Sequence, residues 1–205
     1  MIIWRRLGIQ FAEIWFDEPL PEVDLAYLMQ RAEPPNGVAF REFRTMLLDL
    51  THSVDRLFAA CTKDTRNEIR RAEGEGVQSE TFVTIDGNAI KLFSCFYNRF
   101  AAGKGISRLR SRDLVLYRAA GMLDLSCCRD SSGAAIVWHT HLVAGARARL
   151  LHSSSLFRET EDHRRRNFIG RANRYLHWQD ILRFKELGLI HYDLGGWYEG
   201  SADRE

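Results

Sequence analysis

Asn173, His177 and Asp180 stand at i, i+4 and i+7, a spacing that sets an amide, an imidazole and a carboxylate in one line down a helix. A short way downstream, Asp193 precedes Gly195-Gly196, where backbone N–H groups can approach a ligand closely because no Cβ intervenes. That is the layout of a site, without yet being a reaction. His139 and His141 are two apart on an expected strand and so share a face. With His152 they would make a three-histidine metal site. Nothing in the sequence brings His152 beside them, half-buried strand histidines account for the pair, and no metal is expected.

Other chemistries are less well served. Ser153-Ser154-Ser155 lacks the Gly-x-Ser-x-Gly elbow of a serine hydrolase. Cys127-Cys128 has no placed histidine partner and suits an inert strand pair. No Walker loop or Gly-x-Gly-x-x-Gly occurs, which disfavours nucleotide hydrolysis and dinucleotide binding. Arg164, Arg165, Arg166, Arg171 and Arg174 cluster at the start of a helix, where side-chain charge and helix dipole act with the same sign. Lys63, Arg66 and Arg70 share another helix face. If the two groups form one basic surface, its partner carries phosphates: a nucleotide-linked substrate, coenzyme A or the acceptor end of an RNA. Two unrelated solvated faces are the alternative.

The elements that must position these residues follow from periodicity. Leu7, Ile9 and Phe11 alternate into a strand reaching Phe16, and Glu22 to Arg31 reads as a short helix closed by Pro34-Pro35-Asn36-Gly37. Phe40 to Leu50 reads as a strand. Thr51 to Gly76 is helical, capped by Ser53 and broken near Thr62 to Asp64. Val77 to Ile85 forms a strand, and Asn88 to Ala102 and Arg112 to Ala120 form helices. Met122 to Cys128, Ala134 to Val143 and Ala146 to Ser153 make an antiparallel meander. A long Arg-rich helix follows, apolar around most of its axis and hence expected against a sheet. The strand Leu189 to Leu194 comes last. The expected fold is α/β (α+β), with a mostly antiparallel mixed sheet flanked by helices.

A chain of 205 residues, 45% hydrophobic and 27% charged, has the composition of an ordinary globular protein. No apolar run approaches the length of a membrane span and no signal peptide is legible, so no membrane insertion is expected. Four cysteines without ligand spacing point to reduced thiols and a cytoplasmic setting.

Two stretches together resemble a known family. Thr65-Arg66-Asn67-Glu68-Ile69-Arg70-Arg71-Ala72-Glu73 with Gly76-Val77 is similar to the opening helix of the Fem-type peptidyltransferase domain. Asn173-Arg174-Tyr175-Leu176-His177-Trp178, Phe184-Lys185, Gly188 and Tyr192-Asp193-Leu194-Gly195-Gly196 resemble its closing helix and strand. Phe96-Tyr97-Asn98-Arg99-Phe100 with Gly103-Lys104-Gly105 matches its middle helix in character. The likeness covers roughly residues 40 to 196. It implies a GNAT acyltransferase fold over residues 37–205, behind an N-terminal extension at 1–36. It also implies amide formation by transfer of an aminoacyl group, commonly from aminoacyl-tRNA, to a small amine or peptidyl acceptor.

By this resemblance Ala146 to Ser155 is the splayed strand beside which donors lie. Asp193 and His152 are then the candidates for proton handling. Ser153, Ser154, Ser155, Arg164, Arg165, Arg171 and Asn173 fall on the donor side. Arg66, Arg70, Tyr97, Lys104, His177, Tyr192, Gly195 and Gly196 fall on the acceptor side. The usual GNAT pyrophosphate loop is missing, since Leu156 to Asn167 carries no glycine. That disfavours acyl-coenzyme A and favours aminoacyl-tRNA or a carrier-bound acyl group; no tightly bound cofactor is expected. Fem enzymes typically hold two such domains, and this chain has room for one. An acyl-coenzyme A or carrier-protein-dependent N-acyltransferase and a non-catalytic RNA- or phosphate-binding module are the alternatives.

Overall fold

A computed structural model describes residues 1–197; the expected domain end at 198–205 lies outside the described residues. Nine strands among the described residues build two sheets. β1 (Ile2–Arg6), β2 (Ile9–Trp15) and β3 (Leu25–Met29) form a three-stranded sheet, β1 antiparallel and β3 parallel to β2. β4 (Thr45–Asp49), β5 (Gln78–Thr81), β6 (Leu123–Arg129), β7 (Ala135–Ala144), β8 (Arg147–Ser155) and β9 (His191–Gly196) form the main sheet, ordered β4-β9-β8-β7-β6-β5. The helices are α1 (Val54–Ala60), α2 (Lys63–Gly74), α3 (Gly87–Lys104), α4 (Ser111–Ala119) and α5 (His163–Glu186), with one 3-10 turn at Leu156–Glu159.

The N-terminal region departs from expectation. The segment at Glu22 to Arg31 forms β3 rather than a helix, because Leu25, Tyr27 and Met29 alternate along an extended chain that pairs with β2. β1 escapes periodicity altogether. Leu7 and Gly8 both adopt positive φ (51° and 82°), as a tight two-residue hairpin requires, although Leu-Gly is no standard hairpin signal. Phe16 ends β2 at φ 58°, a strained conformation for a bulky side chain, with its N–H bonded to Met29 O at 2.8 Å. The strand expected from Phe40 shortens to β4.

The helices start where short polar side chains accept backbone N–H groups. Ser53 caps α1, Thr62 caps α2, Asp86 caps α3 and Asp162 caps α5. α1, α2 and α5 pack on one face of the main sheet, joining Leu57, Ile69, Trp178, Ile181 and Phe184 to Ala148 and Tyr192. α3 and α4 cover the other face through Phe93, Leu114, Leu125 and Trp138. The three-stranded sheet leans on the same side as α4, where Ile2, Trp15 and Phe16 meet Met122, Leu142 and Ala144.

The feature that positions the site is an interruption in the main sheet. β8 and β9 run parallel and pair only at Arg147↔His191, Ala148↔Tyr192 and Arg149↔Asp193. Beyond Arg149 the strands part, with β8 continuing to Ser155 alongside β7 and β9 continuing to Gly196 alongside β4. The β7–β8 register also shifts here: Thr140 faces His152, but His141 faces Leu150, so Leu151 is an extra residue. Such a bulge reverses side-chain parity along the strand.

Candidate functional site

Where β8 and β9 separate, a crevice of about 370 Å³ opens. Its walls are Met46 of β4, Leu150 of β8, Leu194 of β9, Ile69 of α2, and Trp178 and Ile181 of α5. Thr65 and Cys61 reach it from α2 and the end of α1, while Arg174 and His177 line it from α5. Past Arg149, the β8 backbone has no ladder partner toward β9 among the described residues. A row of N–H and C=O groups therefore borders the opening, free to bond an extended ligand as an edge strand would.

α5 carries the predicted polar line, and the sheet answers it. Asp180 is buried and binds His139 Nδ1 through Oδ2 at 2.6 Å, while Ser126 Oγ donates to its Oδ1 at 2.7 Å. Burial alone would raise the Asp180 carboxyl; interactions with His141, His139 and Ser126 outweigh it and hold the group at about 2. His139 Nε2 lies 3.0 Å from Asn173 Oδ1, which also accepts from Ser153 Oγ at 3.2 Å. His139 and His141 are thus fully buried, more deeply than expected, and converge with Asp180 rather than with His152.

His177 connects this interior to the crevice. Its Nδ1 lies 3.3 Å from the Tyr192 hydroxyl, which lies 3.1 Å from His141 Nε2. His141 Nδ1 in turn sits 3.4 Å from Asp124 Oδ1, and Asp124 is ion-paired with Arg183. Burial, reinforced by His139, depresses His177 to about 3, so the imidazole is neutral at pH 7. Burial, with the Asp180, Asp124 and Asp193 carboxylates, pushes the Tyr192 phenol well above its ordinary range, so it keeps its proton. The result is a hydrogen-bonded file of His177, Tyr192 and His141, with Asp124 beside it at ion-pair distance but not hydrogen-bonded to the ring. Nε2 of His177 has no hydrogen-bond partner among the described residues.

The two expected proton carriers lie elsewhere. The Leu151 bulge turns His152 away from α5, onto the face where Tyr97 and Phe93 of α3 enclose it and Thr140 Oγ1 lies 2.7 Å from its Nδ1. Burial, aided by Arg149, depresses it to about 4. Asp193 follows Tyr192 on β9 and so faces away from the crevice. It is fully buried, accepts the Gly195 N–H at 2.8 Å, and binds Thr45 and Arg147, with Arg149 at 3.9 Å. Arg147 in turn lies 4.2 Å over the Phe16 ring and Arg149 5.3 Å over Trp15, so this knot ties β8, β9, β4 and the N-terminal sheet together.

The other expected site residues scatter. Arg171 is buried and forked on Glu75 with two contacts of 2.9 Å, and Arg165 binds Asp130 at 2.5 Å. Arg164 is exposed, without an ion-pair partner among the described residues. Arg66 turns back onto the carbonyls of Ala59 and Cys61, and Arg70 lies 5.1 Å over Phe58. The single basic surface therefore does not assemble from these side chains. Tyr97 and Lys104 belong to α3, across the sheet from the crevice, with Lys104 lying 5.6 Å over Phe100. Ser154 is buried against Trp138 O, Ser155 ends β8, and Gly196 pairs with Thr45. Only Ser153, Asn173, His177 and Tyr192 join the network behind the crevice. Leu150, Thr65, Cys61, Asp124 and the buried His139 and His141 were not anticipated there.

No family model matches this chain, and no curated protein matches its sequence. Solved structures do. FemX superposes with a TM-score of 0.63 at 14% identity, over 78% of this chain and 55% of FemX. The C-terminal DUF2156 domain of a protein ascribed to lysylphosphatidylglycerol synthetases, from Agrobacterium fabrum, gives 0.55 at 15% identity, over 77% and 48%. L-PGS from Bacillus licheniformis gives 0.54 at 10%, over 81% and 48%. The chain thus spans about half the length of the structures it matches. It shares the mixed α/β, GNAT-like fold of these domains. No helix among the described residues is long and apolar enough to cross a membrane.

Proposed function

We propose that this chain, built on the fold of FemX, is an amide-forming acyltransferase that works in the crevice between β8 and β9. The donor is aminoacyl-tRNA and the acceptor is an amine of a small or peptidyl molecule. The observation that carries this reading is the parting of β8 and β9 beyond Arg149, which leaves a cavity beside a buried, hydrogen-bonded file of side chains.

The chemistry asked of the site is modest, because an aminoacyl ester is already activated. The amine nitrogen attacks the ester carbonyl, the C–N bond forms, the C–O bond breaks, and the ribose oxygen leaves. The proton lost by nitrogen is the one that oxygen needs. A neutral His177 at the crevice wall can accept a hydrogen bond from the amine on Nε2 and so orient its lone pair, while the proton passes from nitrogen to the leaving ribose oxygen, with Tyr192 and His141 fixing the ring through Nδ1. Holding amine and ester together supplies ~7–11 kcal/mol of the barrier. N–H groups of β8 left without a ladder partner toward β9 can donate to the developing oxyanion.

Two features favour RNA over a coenzyme A thioester as donor. The segment from Leu156 to Asn167 offers no glycine, and the first turn of α5 is already occupied by its own Asp162 and by Arg166 bonded to Thr160 O. The test is transfer from a pool of radiolabelled aminoacyl-tRNA to a primary amine, with and without ribonuclease pretreatment. Label incorporation that ribonuclease abolishes is the expected result. Transfer from acetyl-coenzyme A without RNA would move the donor to the thioester class, and no transfer from either would end the proposal.

A further inference from the structure

We infer that the group transferred in this crevice carries a neutral, apolar side chain of about leucine to phenylalanine size, and not a cationic one; the inference rests on the transferase reading above. The walls supply Met46, Ile69, Leu150, Trp178, Ile181 and Leu194, and no carboxylate is among the lining residues. None of the four polar members supplies a counter-charge to an ammonium, and Thr65 offers only a hydroxyl. Cys61 stays a thiol, since burial pushes it up. His177 is uncharged at neutral pH. Arg174 stands at the rim with its guanidinium matched by Glu68 at 2.7 Å, so this pair offers an entering cation no free counter-charge.

A lysyl or ornithyl ammonium would therefore lose water and find no counter-charge, whereas an apolar side chain replaces water at walls that match it. The volume limits the guest as well. About 370 Å³ is at the small end of ligand sites, enough for one amino-acid side chain with the reacting carbonyl and amine, but not for a long acyl chain. The lysyl group in the name of one structural relative is the case these walls exclude.

The test uses non-transferable donors: 3′-aminoacylamino-3′-deoxyadenosines carrying leucine, phenylalanine or lysine, titrated calorimetrically into the full chain. The leucyl and phenylalanyl probes are expected to bind about tenfold or more tighter than the lysyl probe. Met46 is 47% exposed on β4, so Met46→Glu places a carboxylate in the crevice without disturbing the core. It is expected to cut that preference by about tenfold, while Met46→Leu preserves it. Equal or tighter binding of the lysyl probe to the unaltered chain, no binding of any probe, or a preference unchanged by Met46→Glu would overturn the inference. The ribonuclease-sensitive transfer assay judges the underlying reading separately. Transfer without side-chain preference sinks only the specificity, and absence of transfer sinks the reaction itself.

Discussion

Replacing Asp193 with asparagine separates a structural carboxylate from a reacting one. The side chain is fully buried and its two oxygens receive Gly195 N–H, the Thr45 hydroxyl and the Arg147 guanidinium. Asparagine is nearly isosteric and its oxygen can still accept from Gly195 and Thr45, so shape and two hydrogen bonds survive. What is lost is the negative charge facing Arg147 and Arg149, whose side chains are only 17% and 15% exposed. Stranding a partly buried cation in this way costs about 3–5 kcal/mol, a large share of the ~5–15 kcal/mol that holds a typical domain together. Urea unfolding followed by far-UV circular dichroism measures the loss, and Arg147→Met in the same background closes a double-mutant cycle. A coupling of about 1–3 kcal/mol is expected between the two. Transfer per folded molecule should fall by less than tenfold, because the carboxylate faces away from the crevice. A variant as stable as the parent, or one that folds fully yet transfers nothing, would refute this placement and return Asp193 to the chemistry.

Two further outcomes follow from the buried file. His177→Gln keeps a side chain of similar length and is expected to slow transfer by up to about 10²-fold, because the amine loses the ring that orients it, while the fold persists; unchanged turnover would remove His177 from the reaction. Tyr192→Phe strands the facing nitrogens of His141 and His177 and should cost about 1–3 kcal/mol in urea unfolding, alongside a shifted pH–rate profile that a purely structural hydroxyl would not produce. Stability should also sag in mild acid. His152 and His177 are held at about 4 and 3 against an ordinary 6.5, so the unfolded chain binds protons that the folded chain refuses. Their contribution is intact above about pH 6.5 and is lost as pH falls toward the folded values, at about 1.4 kcal/mol per pH unit for each histidine. His152→Gln should lower the slope of unfolding free energy between pH 6 and 5 by one proton's worth, and an unaltered slope would count against the assignment.

Much of this arrangement was legible in the residues, and the parts that were not have identifiable causes. The i, i+4, i+7 line of Asn173, His177 and Asp180 survives because helical periodicity is local and α5 is long enough to express it. The meander and the closing strand were bounded by turn residues that act over two or three positions. Partners far apart in the chain left no such trace. Arg171 and Glu75 are 96 positions apart, and Asp130 meets Arg165 across 35, so a cluster of arginines in sequence became a set of separate ion pairs. His152 lies on the α3 face for a different reason: strand parity holds only where no residue is added, and Leu151 is added beside it. His139 and His141 gave a usable hint, since two histidines on a strand face opposite a helix bearing Asn, His and Asp call for a buried network.

The pair of aromatic rings at Trp15 and Phe16 gives the first thirty residues a reach beyond their own sheet. They clasp Arg149 and Arg147, which clasp Asp193, whose carboxylate pins the turn at Gly195 where β9 bends beside Leu150 O. Loosening a ring at one end of that chain therefore slackens the mouth at the other, as a tent opening sags when a distant guy rope is cut. The N-terminal strands act as an anchorage for the gap between β8 and β9, and trimming them would be felt first as lost stability.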